Sequence, residues 1–314
     1  MAILSVLDLS PVSMEGGTQA AGVRDTIEVA KAAERLGYHR FWVAEHHSIP
    51  HLSSPAPEIL IAALTQVTSR IRLGSGGVML PNYSPLKVAE VFMELEALAP
   101  GRIDLGLGRA LGADMTTGQA LGSRSSAVFP QFFALLSAWL LDSSGVEPFP
   151  MGHAFSQVKA NPRGPSHPDL FLLCSSVESA AFAGAAGIGM VFAEFIARTD
   201  GMPAVAAYRL GFQPSVYRSE PWAGVATIAL AADTGEEAER LAAMTPRPRQ
   251  QRPGGEEGER FVRRIRGNGP TVRALLKEKA EHTRADEIFV MSAGPTLASR
   301  LRSLELIAEE GVTV

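Results

Sequence analysis

The chain has 314 residues, 46% hydrophobic and 20% charged, an ordinary globular composition that supplies a large core and excludes a disordered polymer. A formal net charge of -4 gives no field that would draw the chain to nucleic acid or an anionic membrane, so a small-molecule substrate is expected. Cys174 is the only cysteine, which excludes an internal disulfide; the start MAILSVLDLSPVSMEGG lacks a signal peptide's basic and apolar regions, and no later apolar run is long enough to span a bilayer, so a cytoplasmic protein is expected.

Short β-rich runs alternate with longer runs of helical period. ILSVLD at 3–8 reads as a strand, and IEVAKAAERLG follows as a helix with Ile27, Ala30, Ala33 and Leu36 on one face and Gly37 as its stop. HRFWVAE, IRLGSGGVML and RIDLGLG are the next three strands. Between them lie the helical segments APEILIAALTQVTS and SPLKVAEVFMELEALAPG, the second entered through Ser84 and Pro85. SSAVFPQFFALLSAWLLD holds the fourth helix, with Pro130 in its opening turns. DLFLLC, IGMVFAE, AGVATIALAA and DEIFVMS complete eight strands, and TLASRLRSLELIAEEG is the closing helix.

Eight strands alternating with helices predict an α/β fold, a (β/α)8 TIM barrel over residues 1–314 as one domain, because parallel neighbours need crossovers and a closed ring has no edge. Two polar, Gly- and Pro-rich inserts interrupt the alternation, at 144–168 after helix 4 and at 245–270 between strands 7 and 8. Within the second, residues 250–259 are expected to form a lid over the barrel mouth.

Reactive groups of such barrels stand at the C-terminal ends of the strands. That rule gathers Asp8, Glu45 with His46 and His47, Gly76 with Gly77, Gly108 with Arg109, and Cys174 with Ser175 and Ser176 at one mouth. For the EHH triplet three readings are open: a polar strand end, a metal site, and an imidazole aimed into the pocket as acid, base or hydrogen-bond donor. Adjacent histidines at a strand end point to opposite sides and chelate poorly, so no metal is expected. Glycines inside the third strand signal either a bulge or the close approach of a ligand. Arg109 offers a planar fork suited to phosphate, and Ser175 and Ser176 stand at a helix entry where an anion could bind, although serine pairs also cap helices.

Three blocks, GYHRFWVAEHH at 37–47, the stretch from Ser53 to Ala110, and RLRSLELIAEEG at 300–311, resemble the bacterial luciferase-like flavin monooxygenases, and within them the short single-chain type that serves aromatic polyketide tailoring. The resemblance implies reduced FMN (FMNH2) from a separate flavin reductase, O2 as co-substrate, oxygenation of an aromatic, polyketide-like secondary metabolite through a flavin C4a-peroxide, and a homodimer. It implies His46 as the catalytic histidine, and Gly76, Gly77, Val78, Arg109, Ala110, Leu111, Ser175 and Ser176 as cofactor contacts, with a cis peptide in the Gly76–Gly77 region. Asp8 and His47 are expected on the substrate side. Val177 and Glu178 depart from the family pattern and put a carboxylate close to the expected phosphate site. The alternatives are an F420-dependent oxidoreductase and a non-catalytic flavin-binding barrel.

Overall fold

The computed structural model describes residues 1–245 and 265–314. β1 (Ile3–Asp8), β2 (Arg40–Val43), β3 (Arg72–Met79) and β4 (Ile103–Gly108) are linked by α1 (Gln19–Leu36), α2 (Pro57–Thr65) and α3 (Pro85–Leu98). After β4 come α4 (Met115–Ala120), α5 (Phe129–Ser144), β5 (Asp169–Cys174), α6 (Val177–Ala185), β6 (Gly189–Ala193), α7 (Glu194–Ala197) and α8 (Met202–Leu210). The chain continues through β7 (Ala223–Ala232), α9 (Gly235–Met244), β8 (Ile265–Asn268), α10 (Gly269–Thr283), β9 (Glu287–Ser292) and α11 (Leu297–Ala308).

All named strands pair in parallel, and the order β1-β2-β3-β4-β5-β6-β7-β9 closes on β1, giving the expected eight-stranded barrel. The ninth strand, β8, was not expected. It pairs only with Ala229–Ala232 at the far end of β7, beyond the ring, where the ten-residue β7 leaves a free edge. Its sequence IRGN buries Ile265 and Gly267 and exposes Arg266 and Asn268, too short an alternation to stand out in an Arg- and Gly-rich stretch. The segment 250–259 expected as a lid lies within 246–264, outside the described residues.

Local chemistry explains the helix ends. Thr18 caps α1 by accepting from the Ala21 N–H, and Gly37 ends it in the left-handed conformation (φ 86°) that favours glycine. Pro130 falls in the first turn of α5, where its missing N–H removes no helical bond. The insert after α5 folds back on that helix: Trp139 packs against Phe149 and Phe155, and Asp142 pairs with Lys159 and Arg163. Among the described residues no helix is long and apolar enough to cross a membrane.

Side chains alternate along each strand, so the barrel has two apolar layers. Leu4, Val6, Phe41, Val43, Leu105, Leu172 and Val290 face outward and pack under the helices. Leu7, Trp42, Ala44, Phe171, Val191, Ala226 and Phe289 fill the interior. Below them, toward the N-terminal end, Asp104 accepts from Arg40 (2.7 Å), Arg72 (2.5 Å) and Trp42 Nε1 (2.9 Å), while Arg40 also reaches Glu287 (3.2 Å). Asp104 and Glu287 are fully buried, so the interior is floored by an ion network and plugged by aromatic rings, leaving chemistry to the other end.

Candidate active site at the C-terminal mouth

The interior parity of β2, Arg40–Trp42, carries on to buried Ala44, and Glu45, His46 and His47 follow at the C-terminal end of the strand. Glu45 is fully buried. Its Oε1 accepts from His47 Nε2 (2.8 Å), Asn82 Nδ2 (3.1 Å) and the Tyr83 hydroxyl (3.0 Å), and its Oε2 from the Met79 N–H (2.8 Å). Burial, followed by the Glu45 charge, pushes the Tyr83 hydroxyl pKa upward.

His46 donates its backbone N–H to Ser54 O (2.9 Å), but its ring Nδ1 is buried and has no hydrogen-bond partner. Burial, reinforced by His47 and His51, lowers its pKa to about 4, so the ring is neutral at ordinary pH and offers one donor and one acceptor. The two imidazoles differ accordingly: that of His47 is tied to Glu45, and that of His46 keeps a buried, unused nitrogen.

The Gly76–Gly77 peptide is cis, as the resemblance implied, and the β3–β4 register shifts between Gly76 and Val78. Packing accounts for the glycines beside it. A Cβ on Gly74 would meet Trp42 Nε1 and Asp104 Cβ at 2.7 Å, and one on Gly76 would strike Leu7. Of the two readings open for this strand, a bulge and interior crowding are what the geometry displays. Val78 is buried in the outer layer.

Arg109 and Ala110 are exposed just past β4, and Leu111 offers its carbonyl to Asn82 Nδ2 (3.1 Å). Ser175 is exposed, whereas Ser176 caps α6 in a reciprocal capping box with Ser179. Arg109 lies near enough to act electrostatically on Cys174 and on Glu178. The Glu178 carboxyl is held low by its own backbone N–H, by Ser176 and by Arg109. Burial pushes the Cys174 thiol up to about 12, so it is a packing residue at neutral pH. The β4 and β5 ends thus come together as expected, with the acidic neighbour that the sequence flagged.

Asp8 stands apart from them. It follows the outward parity of Leu4 and Val6, is buried, accepts the Ser10 N–H on Oδ1 (2.5 Å), and pairs on Oδ2 with Arg300 of α11. Both carboxylate oxygens are committed between barrel wall and helix. Partly buried Leu9, Leu173, Phe195 and Met291 pack on the interior cluster from the ends of β1, β5, β6 and β9, giving the mouth an apolar floor. Sequence reading missed that floor and the Asn82–Tyr83 pair; the only signal for the latter was two hydrogen-bonding side chains directly after β3. No group of three or more potential metal ligands occurs among the described residues.

A closed parallel barrel with an unpartnered imidazole at its C-terminal mouth defines the class, a (β/α)8 protein with an enzyme-like site. The family model described as luciferase-like monooxygenase matches residues 3–293. The protein YvbT of Bacillus subtilis is 39% identical over 98% of this chain and 96% of its own. The N-acetyl-S-alkylcysteine monooxygenase of the same organism is 41% identical over 76% of this chain and 70% of its own. Among solved structures, that of apo-MsnO8 superposes with a TM-score of 0.86 at 37% identity over 98% of this chain and 97% of that one. The chain belongs to the luciferase-like monooxygenase family.

Proposed function

We propose that this chain is a monooxygenase that uses reduced FMN and O2 to oxygenate an apolar, aromatic polyketide-like secondary metabolite. The observation that carries the proposal is the neutral His46 ring, with a buried nitrogen lacking any protein partner, at the same barrel end as an apolar floor. Family membership and the monooxygenase name of one relative support it.

The donor set fits a flavin mononucleotide. A buried unpartnered imidazole nitrogen suits a heteroaromatic ring, and the exposed Arg109 cation with the Ser175 hydroxyl suits a phosphate. In this reading the Gly76, Gly77 and Val78 backbone with Ala110 and Leu111 border the ring, and Arg109, Ser175 and Ser176 hold the phosphate. Bound reduced flavin supplies two electrons and activates O2, so that one oxygen atom enters the substrate and the other leaves as water. The protein's share is to place the reactants, keep water out and manage protons. His46 handles a proton at its free nitrogen, Leu9, Leu173, Phe195 and Met291 exclude water and receive the acceptor, and His47 borders the substrate side. A separate reductase supplies the flavin. The exposed Ile59 in the first turn of α2 and Val67 just past its end give a homodimer contact an apolar start.

The test is oxygen transfer from 18O-labelled O2 to a panel of aromatic polyketides with a flavin reductase present. His46→Ala should lower incorporation by about 10²-fold or more while flavin still binds. A silent His46→Ala beside a crippled His47→Ala would overturn the assignment.

A further inference from the structure

Glu45 is a fully buried carboxylate that no step above employs, yet it accepts four hydrogen bonds. Among the described residues no Lys or Arg forms an ion pair with it; its only charged-type partner is His47. A buried carboxylate persists only where enough donors replace its water, and here the donors come from two separate strand ends. Met79 closes β3, and Asn82 and Tyr83 follow it. Asn82 carries the network onward, donating to Leu111 O (3.1 Å) and accepting from Ser123 Oγ (2.6 Å), and the His47 N–H donates to Gly112 O (3.1 Å). The ends of β2, β3 and the loop after β4 are thus joined through one carboxylate.

We propose that Glu45 is a positioning residue that locks the end of β2 against the ends of β3 and β4, so that His46 is presented to the mouth in a single orientation. Glu45 and His46 are adjacent just past the end of β2, so holding the Glu45 carboxylate through four hydrogen bonds restrains the backbone that carries the His46 ring. The anchor must be an acceptor. Three donors converge on Oε1, and a carboxamide NH2 in its place would confront them with hydrogens of its own. This inference rests on the reading of His46 as the proton-handling group, and its test is independent of turnover.

The experiment compares the full-length wild type, Glu45→Gln and Tyr83→Phe by NMR of 15N-labelled histidine rings, without flavin. His47 and His51 face His46, and Glu45 and Glu58 face His47. Wild type should show a downfield His47 ring proton held by the carboxylate and one set of His46 signals titrating near 4. Glu45→Gln should lose the first, broaden or split the second, and raise the His46 midpoint by about a unit or more as water reaches the ring. Tyr83→Phe, which removes one donor of four, should keep both signatures; a loss of fold stability alone would move neither. A folded Glu45→Gln with an unchanged His46 signal overturns the proposal. Should Glu45→Gln not fold, Asn82→Ala combined with Tyr83→Phe strips two donors from Oε1 and must move the His46 midpoint the same way; an unmoved midpoint there overturns it equally. The reading of His46 itself is decided separately, by His46→Ala in the oxygen-transfer assay.

Discussion

Acid should destabilise this protein through one ring, and the loss can be isolated. His46 titrates at about 4 in the folded chain because burial disfavours its charged form, against an ordinary value of 6.5. The unfolded chain therefore binds the extra proton first. Stability from this group is intact above pH 6.5, falls as pH drops through 6.5, and is fully lost below about 4. That gap corresponds to about 3 kcal/mol at the acid limit, and to about 2 kcal/mol between pH 7 and pH 4.5. Carboxylates such as Asp104 also titrate on the acid side, so the informative quantity is a difference. Urea unfolding of wild type and His46→Gln at both pH values should show the variant losing about 2 kcal/mol less on acidification. Equal losses in the two proteins would mean that the ring is solvated, and would remove the physical basis for calling it a neutral, unpartnered group.

Two further outcomes follow from the ion network and the mouth. Asp104→Asn should cost about 3 to 4 kcal/mol in urea unfolding, because it withdraws a fully buried charge from Arg40 and Arg72, whereas Asp169→Asn, half exposed, should cost under about 1 kcal/mol. Arg109→Ala should weaken FMN by about 1.5 to 3 kcal/mol in a fluorescence titration and riboflavin far less; equal losses would place Arg109 away from the phosphate.

The barrel was legible because its two periods are separate: apolar runs of strand length alternate with helices whose apolar faces recur every three to four residues. Strand ends were legible for the same reason, and they located His46, Arg109 and Ser175. Direction was harder to read. Position at a strand end put Asp8 at the mouth, but only the packing of Leu7 inside and Val6 outside shows that its side chain turns toward α11 and Arg300. Asp104 and Glu287 were invisible for a related cause: a single charge in an apolar strand reads as an interruption until its partners Arg40 and Arg72, on other strands, are seen beside it. Glu45 was noticed with its histidines, while three of its four donors lie 34 to 38 residues downstream, a separation that no local pattern reports. The strand β8 escaped because four alternating residues carry too little signal.

The central claim is that reduced FMN, and not a deazaflavin, delivers electrons here for oxygen transfer. The most direct measurement presents the protein with reduced FMN or reduced F420, each with 18O-labelled O2 and the aromatic polyketide panel, and follows cofactor oxidation and label in the products. Protein-dependent consumption of reduced FMN, with one labelled oxygen atom per product, is the predicted result. Consumption of reduced F420 without oxygen, leaving a reduced and unlabelled product, would contradict the account.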